Sequence, residues 1–433
     1  MLFEVEIIYP ECQHQRSKQE VLAMVQQIQP GSVFTPRDSK VNRDMYVNRE
    51  DIESRFKAAL QTQHAVLIHG ESGNGKTWLY KEFFSQNEVF FVVVDLNTAR
   101  ADGFEKALQD AYISEPTDIK TKTSNTQSFG LRQVFSLEKA KTEEAEVADV
   151  SVFERLLREV RRLAGDKMAF IVFDNLEQII DEENTLRRLA DCIIRVDNER
   201  YAAYGVRLLI VGTPGDLREI IAKHGDTNTL TNRMRTLPEV GRMEDDEAQK
   251  ILRRGFKDFL ELEVNDEEEV FDRILFLSDR VAEQVHSLAL EIATLAVTKS
   301  VPVDEDLVDM GAKAWLSDSL HASRDLVRPL MNKKKKEVQR VDQVIYALGK
   351  VQGENFLPND IEKIIRDEFP TSVEGRTALG ISHIMKNRLA TGNGKLIIQN
   401  PDAPSYRFSN PRIRMAIRAS ITKDESGSII MNE

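Results

Sequence analysis

Eight consecutive residues, 70–77, carry the clearest chemical signal in the sequence. They read Gly-Glu-Ser-Gly-Asn-Gly-Lys-Thr and match the pattern GxxxxGK[ST] at every fixed position. Glycines in such a loop let the backbone turn tightly, so that several N–H groups converge on phosphate oxygens. The lysine reaches the β- and γ-phosphates, and the threonine hydroxyl binds Mg²⁺. The pattern therefore predicts a site for ATP and Mg²⁺ formed by Gly70, Glu71, Ser72, Gly73, Asn74, Gly75, Lys76 and Thr77.

A second part of this site is predicted at Asp174. P-loop sites pair the loop with an acid that helps to hold Mg²⁺. Asp174 follows the apolar run Ala169–Phe173, which places it at the end of a buried strand. A helix that begins near Lys76 would present its N-terminal dipole to the same phosphates. Thr77 and Asp174 are thus the predicted metal ligands, and Lys76 is a predicted catalytic residue.

The elements that would position these residues alternate between apolar runs and amphipathic stretches. Continuous apolar runs are typical of strands buried on both faces, and they lie at Ala65–Gly70, Val89–Leu96, Ala169–Phe173 and Arg207–Val211. Helical patterns lie between them at Thr77–Ser85, Gly103–Tyr112, Ser151–Ala164 and Glu183–Ala203. This alternation predicts an α/β fold built on a parallel sheet.

Other short segments resemble the motifs of AAA+ and STAND ATPases, including the origin-recognition and transposition-regulator groups. They are Asn48-Arg49-Glu50 ahead of the loop, the strand Leu208–Gly212 with Thr213, the segment Asn232–Leu237, and the helix Met243–Leu252. The resemblance covers roughly residues 45–320. It implies a P-loop NTPase core of the AAA+ type followed by an all-helical lid. It also implies that Arg49 lies at the nucleotide and that Thr213 faces the γ-phosphate.

The same resemblance implies an arginine finger, which would neutralise charge on the transferring phosphoryl group. Arg233 is the first candidate and Arg235 the second, with a surface arginine on a loop as the alternative for each. In the family this arginine usually comes from the neighbouring subunit, so that ATP binding favours a homo-oligomer. Arg280 is a candidate for a further arginine from the lid, and it also fits a solvated helix start.

The residue after Asp174 departs from the commonest AAA+ pattern, which has glutamate there as the base that activates water. This chain has Asn175 at that position and Glu177 two residues later. Glu177 is therefore the candidate base, subject to its geometry. The sequence predicts an ATPase, and the departure leaves open slow hydrolysis with the nucleotide acting as a switch.

The C-terminal part reads as three helices followed by a hairpin, which is the winged-helix order. The helices are predicted at Val341–Lys350, from Leu357 to Phe369, and at Thr377–Leu389, and a final basic helix at Pro411–Ile421. The third helix would enter the major groove of duplex DNA while nearby cations contact phosphates. Candidate contacts are His383, Lys386, Asn387, Arg388, Lys395 and Arg407. Winged helices also bind partner proteins or hold an ATPase closed, and this alternative stays open.

The chain of 433 residues is predicted to contain four parts. They are an N-terminal extension (1–44), the ATPase core (45–242) with an exposed insertion (115–150), a helical lid (243–330) and the winged helix (335–425). Residues 333–336 are all lysine and read as a solvated linker or as extra phosphate contacts.

Composition limits the class of protein. From Lys333 onward the chain has 17 basic and 12 acidic residues, or +5, whereas the remainder carries −17. That charge is modest for a DNA-binding domain. We find no apolar run long enough to span a bilayer, no signal-peptide pattern and no zinc-ligand spacing. Two distant cysteines, Cys12 and Cys192, fit a reduced cytoplasm.

Two functions follow from these features. The first is an ATP-dependent, oligomerising ATPase that contacts double-stranded DNA. The second is a STAND-like signalling switch, for example in bacterial defence, whose C-terminal domain binds an effector or partner protein. The sequence does not distinguish replication, transposition and defence, nor a ring from a filament.

Overall fold

A computed structural model of the protein divides into two compact units, Ser39–Gly241 and Arg242–Glu433 together with Met1–Asp38. It describes residues 28–62, 64–113, 151–213, 233–331, 339–400, 403–424 and 427–432. Most of the N-terminal extension, the predicted insertion at 115–150 and the lysine run 333–336 lie outside the described residues. So do Cys12, residues 214–232 after Thr213, and Pro401-Asp402 in the predicted hairpin.

The unit 39–241 is built on a five-stranded parallel sheet, which confirms the predicted α/β fold. The strand order is β2-β3-β4-β1-β5, and every neighbouring pair is parallel. The strands are β1 (Ala65–His69), β2 (Phe90–Asp95), β3 (Ala169–Asp174), β4 (Val206–Gly212) and β5 (Met234–Thr236).

Helices cover both faces of this sheet, which explains why its strands are continuously apolar. Leu67, Ile171 and Leu208 face one layer of core residues, while Ile68 and Val172 face the other, as the alternation of side chains along a strand requires. The helices of this unit are α1 (Glu50–Thr62), α2 (Lys76–Gln86), α3 (Leu96–Asp102), α4 (Phe104–Ile113), α5 (Val152–Ala164), α6 (Glu183–Val196) and α7 (Glu199–Ala202).

The ends of α5 show how the local sequence sets an element. The Ser151 hydroxyl accepts a hydrogen bond from the backbone N–H of Glu154, and Gly165 ends the helix at a positive φ of 58°. Between these ends, Phe153, Leu157 and Val160 repeat at helical spacing and are buried in the core. The position of α5 follows directly from its sequence.

The strand register brings three chain segments to one edge of the sheet. His69 at the end of β1 pairs with Gly212 at the end of β4, and β3 pairs with β4 on its other side. The residues that follow these strands therefore share the carboxyl edge, where parallel α/β sheets bind ligands. Residues 70–77, Asp174 and Thr213 all lie at this edge.

The unit containing residues 242–433 begins with a helical part whose core includes Phe256, Phe271 and Trp315. Among its described residues up to 331, strand pairing is limited to a single bridge between Val264 and Val303, as the predicted all-helical stretch requires. A one-turn helix, Pro30–Val33, belongs to the same unit. The main helices are α8 (Asp245–Arg253), α9 (Glu267–Ser278), α10 (Ala282–Lys299), α11 (Glu305–Asp318) and α12 (His321–Val327), and Arg254–Phe259 is π-helical.

The C-terminal part of this unit packs helices against a small antiparallel sheet of order β6-β8-β7. The strands are β6 (Asn355–Phe356), β7 (Ile397–Gln399) and β8 (Tyr406–Phe408), and β9 (Ile421–Lys423) pairs with β10 (Ile429–Met431). The helices are α13 (Arg340–Lys350), α14 (Pro358–Glu368), α15 (Pro370–Val373), α16 (Ile381–Ile384, continued by a π-helical turn at Met385–Leu389) and α17 (Pro411–Ser420).

One helix begins later than its pattern predicts. The prediction placed the third C-terminal helix at Thr377–Leu389, but the helix begins at Ile381. Gly380 precedes it with φ of 72°, in the left-handed region that interrupts a right-handed helix. Among the described residues, no helix is both long enough and apolar enough to cross a bilayer.

Candidate nucleotide site

The loop 70–77 connects β1 to α2 and forms the centre of the site. Gly73 and Gly75 both have φ of 88°, in the left-handed region that glycine adopts without strain. Gly70 is required for a different reason, because a Cβ there would lie 2.3 Å from the backbone oxygen of Val240. The loop leads directly into α2, whose first residue is Lys76. The backbone thus has the shape of a phosphate cradle at a helix N-terminus.

Lys76 lies folded over this cradle. Its Nζ donates hydrogen bonds to the backbone oxygens of Gly70 (2.8 Å) and Glu71 (3.0 Å). Burial lowers the pKa of Lys76 from its ordinary value, while the carboxylates of Glu177, Asp174, Glu239 and Glu71 act to raise it. The ammonium group is therefore partly desolvated and lies in the field of these carboxylates. A bound phosphate would replace its two hydrogen bonds to backbone carbonyls.

Asp174 is held from two sides at the end of β3. Its Oδ2 accepts a hydrogen bond from the Tyr80 hydroxyl at 3.1 Å, and its Oδ1 accepts one from the backbone N–H of Asn175 at 2.9 Å. Burial raises the pKa of Asp174, against the lowering effect of these hydrogen bonds. Tyr80 lies one turn after Thr77 on α2, so the same helix carries the threonine hydroxyl and fixes the carboxylate. A divalent cation here would favour the ionised form of Asp174.

Asn175, the residue that departs from the common pattern, is engaged elsewhere. It has φ of 65°, and its side-chain amide donates a hydrogen bond to Asp95 Oδ1 at 2.9 Å. Asp95 lies at the end of the neighbouring strand β2, where the same oxygen caps α3. Asn175 therefore ties the ends of two strands together and is directed toward β2.

Glu177 lies in the short 3₁₀ turn Leu176–Ile179 that follows. Its Oε2 is buried and has no hydrogen-bond partner among the described residues. Its charge acts on both Lys76 and Asp174, so the carboxylate lies near the two groups that define the phosphate and metal positions. A buried acceptor without a partner is energetically costly and is suited to a water molecule or ligand.

A second segment closes the loop from the other side. The Arg49 guanidinium donates to the backbone oxygens of Asn74 (3.2 Å) and Gly241 (3.0 Å). The buried side chain of Asn74 donates to the backbone oxygen of Val240 at 3.0 Å. Residues 239–241 are thus joined to the loop, and Glu239 enters the electrostatic surroundings of Lys76. Sequence reasoning missed Glu239, Tyr80 and Asp95, because no motif marks them.

Thr213 follows β4, the strand that lies between those carrying the loop and Asp174. The backbone N–H of Gly70 donates to the oxygen of Gly212 at 3.2 Å, which joins the ends of β1 and β4. Thr213 is half-buried. The fold therefore places Thr213 beside the loop, in a central position along the carboxyl edge.

The two arginine-finger candidates lie away from this edge. Met234 pairs with Ala65, the first residue of β1, so Arg233 lies near the amino ends of the strands. There its Nε is 3.2 Å from Asp197 Oδ2, and its guanidinium donates to the backbone oxygen of Ile194 at 2.9 Å. Arg235 is exposed within β5. Arg280 belongs to the other unit, where it pairs with Asp245 at 2.9 Å.

The side chains of the predicted DNA-contact residues are all exposed to solvent. His383, Lys386, Asn387 and Arg388 are exposed on the helical segment 381–389, and Lys395 and Arg407 are exposed at the small sheet. By contrast, two arginines of the basic helix α17, Arg414 and Arg418, are buried and pair with Asp279. Part of the positive charge of the C-terminal sequence is therefore internal.

Comparison with known proteins identifies the fold of the unit that carries the loop 70–77. Residues 59–221 match the family model described as AAA domain. The structure of a Walker-type ATPase of Pyrococcus abyssi aligns with a TM-score of 0.51 at 14% identity, covering 89% of this chain and 99% of that chain. The unit 39–241 has an AAA+-type P-loop ATPase fold.

Two other solved structures are similar at lower scores. Cdc6p from Pyrobaculum aerophilum aligns with a TM-score of 0.42 at 14% identity, covering 89% of this chain and 96% of that chain. The Aeropyrum pernix ORC1 protein in complex with DNA aligns with a TM-score of 0.43 at 13% identity, covering 90% and 96%. A search of curated proteins gave no significant match.

Proposed function

We propose that this protein is an ATP-binding and ATP-hydrolysing AAA+ ATPase that oligomerises on ATP and contacts duplex DNA through a C-terminal winged helix. The observation that carries the ATPase assignment is the convergence of the loop 70–77, Asp174 and Glu177 at one edge of the sheet. The core corresponds to residues 45–242, the lid to 243–330 and the winged helix to 335–425. The protein would act in the cytoplasm.

The site suits ATP with Mg²⁺. Thr77 and Asp174 would hold the cation, which neutralises charge on the β- and γ-phosphates when bound. Lys76 would move from its carbonyl contacts to the phosphate oxygens, and Thr213 would donate a hydrogen bond toward the γ-phosphate. Glu177 would accept the proton of the attacking water, because its Oε2 is buried, near Lys76 and without a hydrogen-bond partner among the described residues.

The position of Arg233 supports assembly. It lies at the amino ends of the strands, opposite the edge that holds its own phosphate site. An arginine at that edge can complete a neighbouring subunit's site in a head-to-tail assembly. ATP would then bridge two subunits, and its hydrolysis would weaken the contact.

Mixing two inactive variants tests this shared site. We expect Arg233→Ala to lower ATP turnover about 10³-fold, because an unneutralised charge remains on the phosphoryl group. An equal mixture with Lys76→Ala should recover clear activity, since the Lys76→Ala subunits still supply Arg233. Arg100→Ala, which changes an exposed arginine of the same unit, should match the wild type. A mixture no more active than its separate components would contradict the shared site for Arg233, and Arg235→Ala would then be tested in the same way.

Contact with DNA is supported by the exposed polar residues of segment 381–389 beside an antiparallel sheet. In a winged helix this segment enters the major groove. We expect Lys386→Ala and Arg388→Ala each to weaken duplex binding, and each to reduce the slope of log affinity against log salt by about one, as loss of a single phosphate contact does. Lys313→Ala, at an exposed lysine on α11, is the control. Unchanged affinity for duplex DNA in both variants would contradict the assignment of segment 381–389 as the DNA-contacting surface.

A second function, the STAND-like switch, is favoured by two observations. Asn175 occupies the usual position of the base, and Arg414 and Arg418 are buried away from solvent. In this case the C-terminal part binds a partner protein or restrains the ATPase. Measuring ATP turnover and molecular mass with and without duplex DNA separates the two functions. Stimulation by DNA supports the first, and tightly retained nucleotide with slow, DNA-independent turnover supports the second.

A further inference from the structure

A cavity of about 250 Å³ lies inside the unit 242–433, remote in sequence from the P-loop. Its walls come from α9, α13, α17 and β9, so it joins the helical part to the C-terminal part of that unit. The lining residues are Arg273, Phe276, Tyr346, Gly349, Lys350, Ile417, Arg418, Ile421, Thr422 and Lys423.

The charged residues that line this cavity are all cationic: Arg273, Lys350, Arg418 and Lys423. Lys350 and Lys423 share a single carboxylate, that of Glu368, at 3.2 Å and 2.5 Å. Among the described residues, positive charge therefore exceeds negative charge at this end of the cavity.

The other end shows the same excess. Arg418 is buried and lies 3.0 Å from Asp279 Oδ1. Asp279 also pairs with Arg414 at 2.7 Å and with Arg242 at 3.2 Å. Arg242 also lies 3.9 Å from Glu354, so two carboxylates serve three guanidinium groups and one positive charge remains in excess. Surplus positive charge is costly in an interior from which water is partly excluded, and an anion in the adjacent cavity would stabilise it.

Arg273 adds a hydrogen-bond donor. One of its terminal nitrogens pairs with Asp309 at 3.2 Å, while its Nε is buried and makes no hydrogen bond with any described residue. Guanidinium and ammonium groups bind phosphate oxygens through short, charge-assisted hydrogen bonds. The donors lining the cavity therefore match a phosphoryl group.

The remaining wall is apolar and aromatic. Phe276, Tyr346, Ile417 and Ile421 line it. The Arg418 guanidinium lies 4.3 Å from the Phe276 ring centroid, and the Lys350 ammonium lies 5.4 Å from the Tyr346 ring centroid. Such a surface suits a flat, apolar group next to the anion. The volume falls just below that of drug-sized pockets, roughly 300–1,000 Å³, and it is too small to admit duplex DNA.

We propose that this cavity binds a small phosphorylated molecule with a flat ring system, of the nucleoside monophosphate class. Lys350, Lys423 and Arg273 hold the phosphoryl group, and Tyr346 with Ile421 contacts the ring. Because the cavity joins helices α9 and α17, the ligand stabilises the packing of the C-terminal part on the helical part. The site is separate from the P-loop and would act as an effector site.

Binding of AMP and of pyrophosphate to full-length Lys76→Ala protein tests this proposal, because that variant removes the P-loop contribution. Calorimetry should show one saturable site for AMP. Lys350→Met and Lys423→Met remove each charge and keep the apolar stem. Each should weaken AMP binding at least about tenfold, the loss expected for one charge-assisted hydrogen bond. Lys363→Ala, at an exposed lysine of α14, should leave binding unchanged.

Four results would overturn the proposal. They are absence of saturable AMP binding, AMP binding that survives the combined Lys350→Met and Lys423→Met changes, protection of these lysines by duplex DNA but not by AMP, and pyrophosphate binding as tight as that of AMP. The last result would mean that a bare phosphate accounts for the binding and that Tyr346 contacts no ring. Unchanged thermal unfolding of both methionine variants shows that they remain folded. ATP binding by the wild type and by Lys76→Ala is measured in a separate titration. Failure of the P-loop assignment is therefore distinguishable from failure of the AMP site.

Discussion

Replacing Lys76 with alanine is expected to lower ATP affinity at least about 100-fold and to abolish measurable turnover. Nζ of Lys76 lies over the phosphate cradle, where it donates to Gly70 and Glu71. Charge-assisted hydrogen bonds to phosphate contribute about 1.5–3 kcal/mol each, and 3 kcal/mol corresponds to more than a 100-fold change in affinity. The loop itself should keep its shape, because Asn74 and Arg49 hold it independently.

Titration with a fluorescent ATP analogue in the presence of Mg²⁺ measures this change. Lys57→Ala is the matched control, since Lys57 is an exposed lysine of α1 in the same unit. Lys76→Arg keeps the charge but changes its geometry and should recover only part of the affinity. If Lys76→Ala bound ATP as tightly as the wild type, the loop would not be the phosphate site.

Glu177→Gln is expected to reduce ATP turnover about 10³-fold while leaving ATP affinity close to that of the wild type. A general base contributes about 10²–10⁴-fold to the rate, and glutamine keeps the shape of the side chain while losing its basicity. Because Glu177 Oε2 is buried without a hydrogen-bond partner among the described residues, the exchange should also be tolerated structurally.

Single-turnover measurements separate the chemical step from nucleotide release in this variant. Glu182→Gln, at an exposed glutamate that follows the same turn, is the control and should turn over normally. Retention of wild-type turnover by Glu177→Gln would exclude Glu177 as the base. Glu239 would then be the next residue to change, because its charge also acts on Lys76.

Much of the sheet and of the phosphate site could be predicted from local sequence. The four long strands are continuous apolar runs. In the loop 70–77, the two positions that need a positive φ are occupied by glycines, Gly73 and Gly75. Asp174 could be placed because an acid directly after a buried strand must lie at the strand's carboxyl end. These features depend on residues that are close together in the sequence, so they can be recognised from the sequence alone.

The features that could not be predicted depend on contacts distant in sequence. Tyr80 and Asp95 orient Asp174 and Asn175 only because the strand order brings β2, β3 and α2 together. Glu239 reaches the site through the return of the chain beside β1. The two-residue strand β6 is too short to show alternation.

The basic helix α17 is the clearest example of a misleading local pattern. Its arginines suggest a solvated face, yet Arg414 is only 1% exposed, and Asp279 lies 2.7 Å from its guanidinium group and compensates the buried charge. A buried carboxylate more than 130 positions earlier in the chain cannot be recognised as a partner from the sequence of the helix. The charge available for DNA is therefore smaller than the composition indicates.

ATP turnover per chain, measured with Mg²⁺ over a range of protein concentrations, tests the central claim most directly. A site completed by a neighbouring subunit predicts that turnover per chain rises with concentration to a plateau, and that duplex DNA moves the rise to lower concentration. Lys76→Ala protein supplies the baseline at every concentration. Turnover per chain that stays constant with concentration, or that never exceeds the Lys76→Ala baseline, would contradict an ATPase whose activity depends on assembly.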